Sequence, residues 1–318
     1  MQKIAIVGAG MAGLSCAETL LHAGIQVSVF DKGRGPGGRM ASRRMETPLG
    51  TTVFDFGAQY FTVRDTAFAE QVRHWEANGI VKPWPLARHD AYVGVPAMNE
   101  VLRDLAHGHN VAFSTLVKGV TRHGRQWRLV CDGHEQELYD GVVLALPAEQ
   151  TAPILTLHDF ELAKAALFAR SQPCWTGMFV FDETLQHADG ILRDTGDVAW
   201  ASRNNAKPGR SGPESWVVQA TPQWSANHLE LAPETVGPLL LDALATAIGS
   251  PIPVPIAQSI HRWRYALSAG TGLGSLWNAS MQIGACGDWL IGPRIECAWL
   301  SGRQLAERMV SAPSIAAE

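Results

Sequence analysis

Charge is scarce in this chain of 318 residues: only 18% are Asp, Glu, Lys or Arg, with 26 basic residues set against 30 acidic ones. No basic run is interleaved with aromatics, so nothing tracks a phosphate backbone and nucleic acid is not an expected partner. Long apolar runs are missing too. None approaches the roughly 18 residues needed to cross a bilayer, and neither terminus is a basic amphipathic tail, so a soluble protein with no membrane partner is expected. The five cysteines, at positions 16, 131, 174, 286 and 297, form no CxxC pair. An odd number at wide spacing is not a disulfide framework, which points to a reducing, cytoplasmic compartment. His107 and His109 bracket Gly108 without a cysteine or acidic cluster beside them, so no metal is expected. Lysine is absent after Lys207.

What is present begins at the first residues. Lys3 to Val7 reads as a buried strand, and Leu14, Ala17, Leu20 and Leu21 then recur at helical spacing up to Gly24, a C-cap. Val27 to Phe30 is a second strand. The opening also has a lysine before an apolar run, as a signal peptide would, but a signal does not require Gly8, Gly10 and Gly13 at those intervals. Four glycines and a proline between positions 33 and 38 exclude any regular element there. Further on, Met98 to Leu105 is helical in pattern, and short strands are expected near 111–114, 119–122, 126–131, 137–139 and 142–146. The middle, from about residue 150 to 275, is rich in tryptophan, with strands at 176–181 and 215–220 and one helix at 233–248. A strand over 256–265, another over 281–285 and a helix over 295–309 complete the pattern. No repeat or low-complexity tract interrupts it.

The chemistry starts with GAGMAG. Gly8 permits the tight turn, Gly10 lets backbone approach a pyrophosphate, and Gly13 allows close packing of a helix whose N-terminus presents free N–H groups to the phosphates. Asp31, with Lys32 after it, closes the second strand at the distance expected of an acid that accepts hydrogen bonds from an adenosine ribose. Strand, glycines, helix and acid together indicate dinucleotide binding, which FAD and NAD share. The next segment separates them.

In DKGRGPGGRMASRR, Gly37, Gly38 and Arg39 resemble the glycine doublet and arginine of the flavin-containing amine oxidase superfamily, which lie against the FAD pyrophosphate and flavin. The arginine usual two places before the doublet is here Gly35. ACGDWLIGPRIECAWLSG is similar to the superfamily's second FAD motif. There Gly287 and Asp288 match the pair that holds the ribityl or pyrophosphate region, and Ile295 and Glu296 open a helix aimed at the pyrimidine ring. Backbone N–H groups at such a helix end would stabilise charge that develops near N1 of a reduced flavin. The resemblance implies an α/β protein: a Rossmann-type FAD-binding domain of the GR2 kind, with an inserted α+β substrate domain. The expected division is 1–65, 94–149 and 278–318 for FAD, and 66–93 and 150–277 for substrate. FAD would be bound non-covalently, since no Cys or His stands in a flavin-attachment motif.

FDFGAQYFT (residues 54–62), GVPAMNEVL (94–102), VVLALPA (142–148) and HRWRYA (261–266) look like the small renalase-type branch. Such enzymes oxidise the 2- and 6-dihydro isomers of NAD(P) to NAD(P)+, passing electrons through FAD to O2 and forming hydrogen peroxide. The resemblance supplies that substrate. Two departures from the amine-oxidising pattern favour it. Arg294 stands where many amine oxidases place an aromatic wall, and no lysine occurs late in the substrate domain. Gly57 and Ala58 would border the flavin, and Gln59 and Tyr60 follow them. His261 and Trp263 alternate with Arg262 and Arg264 on one strand, so one pair faces the pocket; His261 and Trp263 are the expected pair. No acid or base is singled out. An amine oxidase, an FAD-dependent desaturase and a non-catalytic redox-sensing flavoprotein are the competing readings. Oligomeric state and the choice between NAD and NADP forms stay open.

Overall fold

The computed structural model describes residues 2–131, 137–186 and 189–311. In strand Lys3–Val7 the apolar residues from Ile4 onward are all buried, as expected for a strand covered on both faces. It lies inside a six-stranded sheet in the order 276–278, 283–285, 141–144, 3–7, 26–30, 110–112. All neighbours pair in parallel except Leu276–Asn278, which runs against Ile283–Ala285. Ile6 sits between Val29 and Val143, and Val143 is in turn beside Gly284. The start, middle and end of the chain therefore share one sheet.

Helices Met11–His22 and Ile295–Ser311 pack on one face of this sheet. Leu14, Ala17 and Leu20 of the first are buried, but Leu21 is exposed on the outer side. Gly24, at φ +76°, and Ile25 return their N–H groups to Leu21 and Leu20, so the glycine ends the helix as the sequence suggests. On the other face, strands Val117–His123, Gln126–Cys131 and Leu138–Tyr139 and helices Ala148–Thr156 and Phe160–Phe168 enclose a second core around Trp127 and Leu144.

The middle of the chain forms a five-stranded sheet in the order 191–195, 198–203, 215–220, 171–180, 257–268, with every pair antiparallel. Its side chains alternate as the pleat requires. One face, with Trp175, Phe179, Trp216 and Val218, packs under Val236, Leu240 and Leu244 of helix Pro233–Ile248. The opposite face, with Met178, Val180, Val217 and Trp263, packs on Phe54 and Phe56. Phe54 belongs to hairpin strand Gly50–Asp55 and Phe56 follows it directly. Helix Thr66–Ala77 and the strands around 81–94 share a core with Ile6, Leu14 and Leu305 of the nucleotide layer and with Trp200 of the second sheet.

The mixed α/β architecture is the expected one. Strands Gln126–Cys131 and Ser215–Ala220 and helix Pro233–Ile248 have the expected bounds. The helix pair at 148–168 is not evident in the sequence pattern. Pro153 lies inside the first, and exposed Phe160 and Phe168 at the ends of the second blur its apolar stripe. Among the described residues no helix is long and apolar enough to cross a membrane, and no group of three or more His, Cys, Asp or Glu is arranged to hold a metal.

Candidate functional site

The nucleotide end is built from backbone. A Cβ at Gly13 would lie 1.9 Å from the Gly8 carbonyl oxygen, so only glycine lets the helix sit this close to the strand. At Gly10 the same test meets nothing within 4 Å. The helix that begins there has no side-chain cap, which leaves its first-turn N–H groups free for an anion. Across this opening a Cβ on Gly38 would stand 3.6 Å from the Gly10 Cα, so the two glycine segments face each other across backbone surface. Such a cradle fits a pyrophosphate.

Asp31 does more here than await a ribose. One carboxylate oxygen accepts from Ala9 N–H at 2.7 Å and the other from Gly33 N–H at 2.6 Å. It thereby ties the first glycine turn to the second loop. Lys32 is exposed beside it. Gly37 leads into the short turn Gly38–Met40, where Arg39 reaches the buried Asp288 in an ion pair. Arg39 also offers its carbonyl to Ala58 N–H at 2.8 Å. A Cβ at Gly57 would fall 2.0 Å from that same carbonyl oxygen, so glycine is needed here as well. Gly287 donates its N–H to Ser301 at 3.0 Å, fixing the Gly287–Asp288 turn against the C-terminal helix. The structure thus gathers Gly10, Gly38, Arg39, Gly57, Ala58, Gly287 and Asp288 from both ends of the sequence.

Ile295 opens the last helix as expected. Glu296, next to it, holds the protein's own backbone. Its carboxylate accepts from the N–H groups of Arg64 and Asp65, each at 2.6 Å, ahead of helix Thr66–Ala77. Arg294 faces Glu296 in an ion pair of 2.7 Å whose angles fall short of a hydrogen bond. The guanidinium is therefore partly neutralised by its neighbour.

Side chains take over beyond Gly57. Gln59 is buried, with its amide N–H donating to the carbonyls of Asp55 and Gly57 and its Oε1 accepting from Lys207 Nζ at 2.8 Å. Gln219 donates to the Gly57 carbonyl as well, at 2.7 Å. Lys207 and Asp55 are fully buried 3.4 Å apart, and Arg210 lies 2.5 Å from the same carboxylate. Burial pushes the Lys207 ammonium down to about 8, against the attraction of Asp55 that raises it. Burial raises the Asp55 pKa, yet Lys207 and Arg210 outweigh it and hold the carboxyl below its usual range. The sequence pattern singles out Gln59 but not Lys207, Asp55 or Arg210. Nothing local marks Lys207, which sits in a polar turn with its partners about 150 positions away.

Two aromatic groups flank the network. Tyr60 contacts Trp200 at 5.2 Å and Trp84 at 6.5 Å between ring centroids. Lys207 Nζ lies 5.4 Å from the Trp84 ring centroid, and the buried indole N–H groups of Trp84 and Trp200 have no acceptor among the described residues. On the other side Phe56 stacks on Trp263 at 5.2 Å, and His261 meets both rings edge-on. Trp263 reaches within 3.4 Å of a Cβ built at Gly57 and donates its indole N–H to the Phe56 carbonyl. His261 and Trp263 share a face of strand Ala257–Ser268, while Arg262 and Arg264 pair with Glu230 on the other. Burial, aided by the positive charge of Arg43, lowers His261 to about 4 and keeps its imidazole neutral at pH 7.

Known proteins carry the same architecture. A solved structure named as a protoporphyrinogen oxidase from Exiguobacterium sp. 255-15 superposes with a TM-score of 0.75 over 97% of this chain and 98% of that one, at 14% identity. Cyclohexylamine oxidase from Brevibacterium oxydans IH-35A gives 0.75 over the same shares, at 12% identity. By sequence, UacF of Escherichia coli (strain K12), named as an oxidoreductase, is 27% identical over 151 residues, 44% of this chain and 22% of that protein. The zeta-carotene-forming phytoene desaturase of Myxococcus xanthus is 53% identical over 38 residues, 12% of this chain and 7% of that protein. The chain thus spans about a fifth or less of the length of these two relatives. The model of the NAD(P)-binding Rossmann-like domain matches residues 6–75. That of the flavin containing amine oxidoreductases matches residues 83–310, most of the chain, and it is to this family of flavin-dependent oxidoreductases that the protein belongs.

Proposed function

We propose that the protein is a renalase-like oxidase that binds FAD non-covalently and oxidises 2- and 6-dihydro isomers of NAD(P) to NAD(P)+. The balance is one hydride from the donor and one proton from water, delivered to O2 as hydrogen peroxide. FAD, when bound, accepts the hydride and returns the electron pair to oxygen. Gly10, Gly38 and the first turn of helix Met11–His22 would hold its pyrophosphate, with Asp31 toward the ribose and Arg39 and Asp288 toward the ribityl chain.

The observation that carries the reading is that Lys207, Asp55 and Glu296 are each engaged with other groups of the protein itself. Lys207 is bound to Asp55 and Gln59, Asp55 to Lys207 and Arg210, and Glu296 to the backbone of Arg64 and Asp65. His261 is neutral and packed between aromatic rings. A dihydronicotinamide is an activated hydride donor and needs no base; it needs a ring held flat at the right place. Trp263, partly exposed and backed by the buried Phe56, supplies flat surface. The unpaired indole donors of Trp84 and Trp200 suit a carboxamide oxygen.

The second reading is an amine oxidase, favoured by the Tyr60, Trp84 and Trp200 rings, which could face a cation. The Lys207 ammonium over Trp84 opposes it, because a substrate ammonium would meet like charge there. Anaerobic mixing of the FAD-loaded protein with each donor class separates the two. The dihydro isomers should bleach the flavin band rapidly, and 4-dihydro NADH and biogenic amines should do so poorly. Rapid bleaching by a primary or secondary amine alone would establish the amine reading instead.

A further inference from the structure

Arg43 stands on strand Ser42–Thr47 and is taken up by neither the nucleotide cradle nor the Lys207 network. Its guanidinium lies on the Phe56 ring, 4.8 Å from the centroid, and Nη1 donates to Ser259 Oγ at 2.6 Å. Phe56 stacks in turn on Trp263, so one phenyl ring is in contact with both the guanidinium and the indole. Ser259, His261 and Trp263 alternate along one face of strand Ala257–Ser268. They make a row about 13 Å long from residue 259 to residue 263 at the usual strand rise. Trp263, against Gly57, stands at one end of the row, which the proposed function turns toward the flavin, and Ser259 with Arg43 stands at the other.

The electrostatics of that far end are unbalanced. Among the described residues no carboxylate lies within ion-pair distance of Arg43 or Arg34. Burial lowers the Arg43 pKa and the like charge of Arg34 lowers it further. His261, the other titratable group on the Phe56 ring, is neutral and offers no counter-charge. No Arg43 nitrogen is among the buried atoms that lack a partner, so the N–H donors not spent on Ser259 open to solvent and can meet an incoming anion. A planar fork of donors, anchored at one nitrogen by Ser259, matches a phosphate.

We propose that Arg43, steadied by Phe56 and Ser259, is a subsite for a phosphate group of the substrate, so that the pocket selects a phosphorylated nucleotide over a bare ring or a riboside. The row has the reach of a ribosyl phosphate attached to a ring at the Trp263 end. The inference rests on the dihydronicotinamide reading for the identity of the ring, but not for the anion.

The test uses FAD-loaded protein and two measurements. In anaerobic flavin reduction, dihydronicotinamide mononucleotide should half-saturate the wild type at a concentration about tenfold or more below that of the riboside, the effect of one charge-assisted contact. In Arg43→Ala this preference should collapse to about one, and Arg43→Lys should retain part of it. In calorimetry, ADP-ribose, which cannot donate a hydride, should bind the wild type and not Arg43→Ala. An equal preference in wild type and Arg43→Ala, or no binding of ADP-ribose to the wild type, would overturn the subsite. So would a fall in the FAD-to-protein ratio of Arg43→Ala with melting unchanged, because Arg43 would then be an anchor for the cofactor. If ADP-ribose binds through Arg43 while no dihydronicotinamide bleaches the flavin, the phosphate subsite stands and the oxidase reading falls.

Discussion

The two halves of the site are made of different material. Around Gly8, Gly10, Gly13 and Gly38 the protein offers main chain: free N–H groups, close approach and one carboxylate, Asp31, that ties two turns together. Around Gly57 it offers side chains from distant segments, namely Asp55 and Gln59, Lys207 and Arg210, Gln219, and His261 and Trp263. A backbone site depends on which residues lack a Cβ; a side-chain site depends on buried charges and their balance. The first should therefore fail by steric exclusion and the second by loss of a counter-charge.

Four substitutions probe that contrast, from the largest effect to the smallest. Gly13→Val should abolish FAD retention, because a Cβ 1.9 Å from the Gly8 carbonyl oxygen meets backbone that cannot rotate away. Overpacking of this kind costs about 3 kcal/mol or more. Absorbance of the purified protein and urea unfolding of the apoprotein would register it; a stable yellow protein would break the steric half of the comparison.

Asp55→Asn should come next, since it leaves Lys207 and Arg210 buried with no carboxylate. Breaking a buried pair by removing one partner costs about 3–5 kcal/mol. The same group predicts a pH dependence. Its folded pKa lies below the unfolded value of about 3.9. The stabilisation it gives is thus complete above about pH 4 and fades as pH falls through the folded pKa. Urea midpoints followed downward from pH 5 should drop more steeply in the wild type than in Asp55→Asn; parallel curves would show that the charge network contributes nothing.

Asp31→Ala removes two charge-assisted hydrogen bonds, each of a kind worth roughly 1.5–3 kcal/mol. FAD affinity should fall by about one to two orders of magnitude. Because the carboxylate already joins Ala9 to Gly33, apoprotein stability should fall as well. A loss of FAD affinity with an unaltered apoprotein melting curve would sharpen the comparison, by assigning Asp31 to the ribose alone. Arg264→Ala, on the outer face of the strand that carries Trp263, breaks only a surface pair with Glu230. Surface pairs contribute little, so neither the urea midpoint nor the bleaching rate should move measurably.

The same contrast explains what could be read from the sequence. GAGMAG, Asp31 and the Gly37, Gly38, Arg39 run were legible because backbone geometry imposes fixed residue types at fixed short spacings. The facing of His261 and Trp263 away from Arg262 and Arg264 followed from strand alternation alone. Lys207 was not legible, since its environment comes from Asp55 and Gln59 across the fold. Arg294 was legible as a cation in place of an aromatic wall, but a sequence does not reveal that the Glu296 side chain turns back toward it. Trp84 and Trp200 stood among 11 tryptophans, most of which a sequence reading assigns to core.

The interleaved order of the nucleotide sheet also bears on synthesis. The antiparallel sheet of residues 171–268 and its covering helix have a core of their own and are complete once the chain has passed residue 268. The parallel sheet is not: strand 141–144 waits for 283–285, and Arg39 waits for Asp288. Contacts of such long sequence separation form late and slowly. An emerging chain would thus carry a finished second layer beside an open sheet edge at 141–144, and capture of the flavin would be among the last events on the way to the native protein.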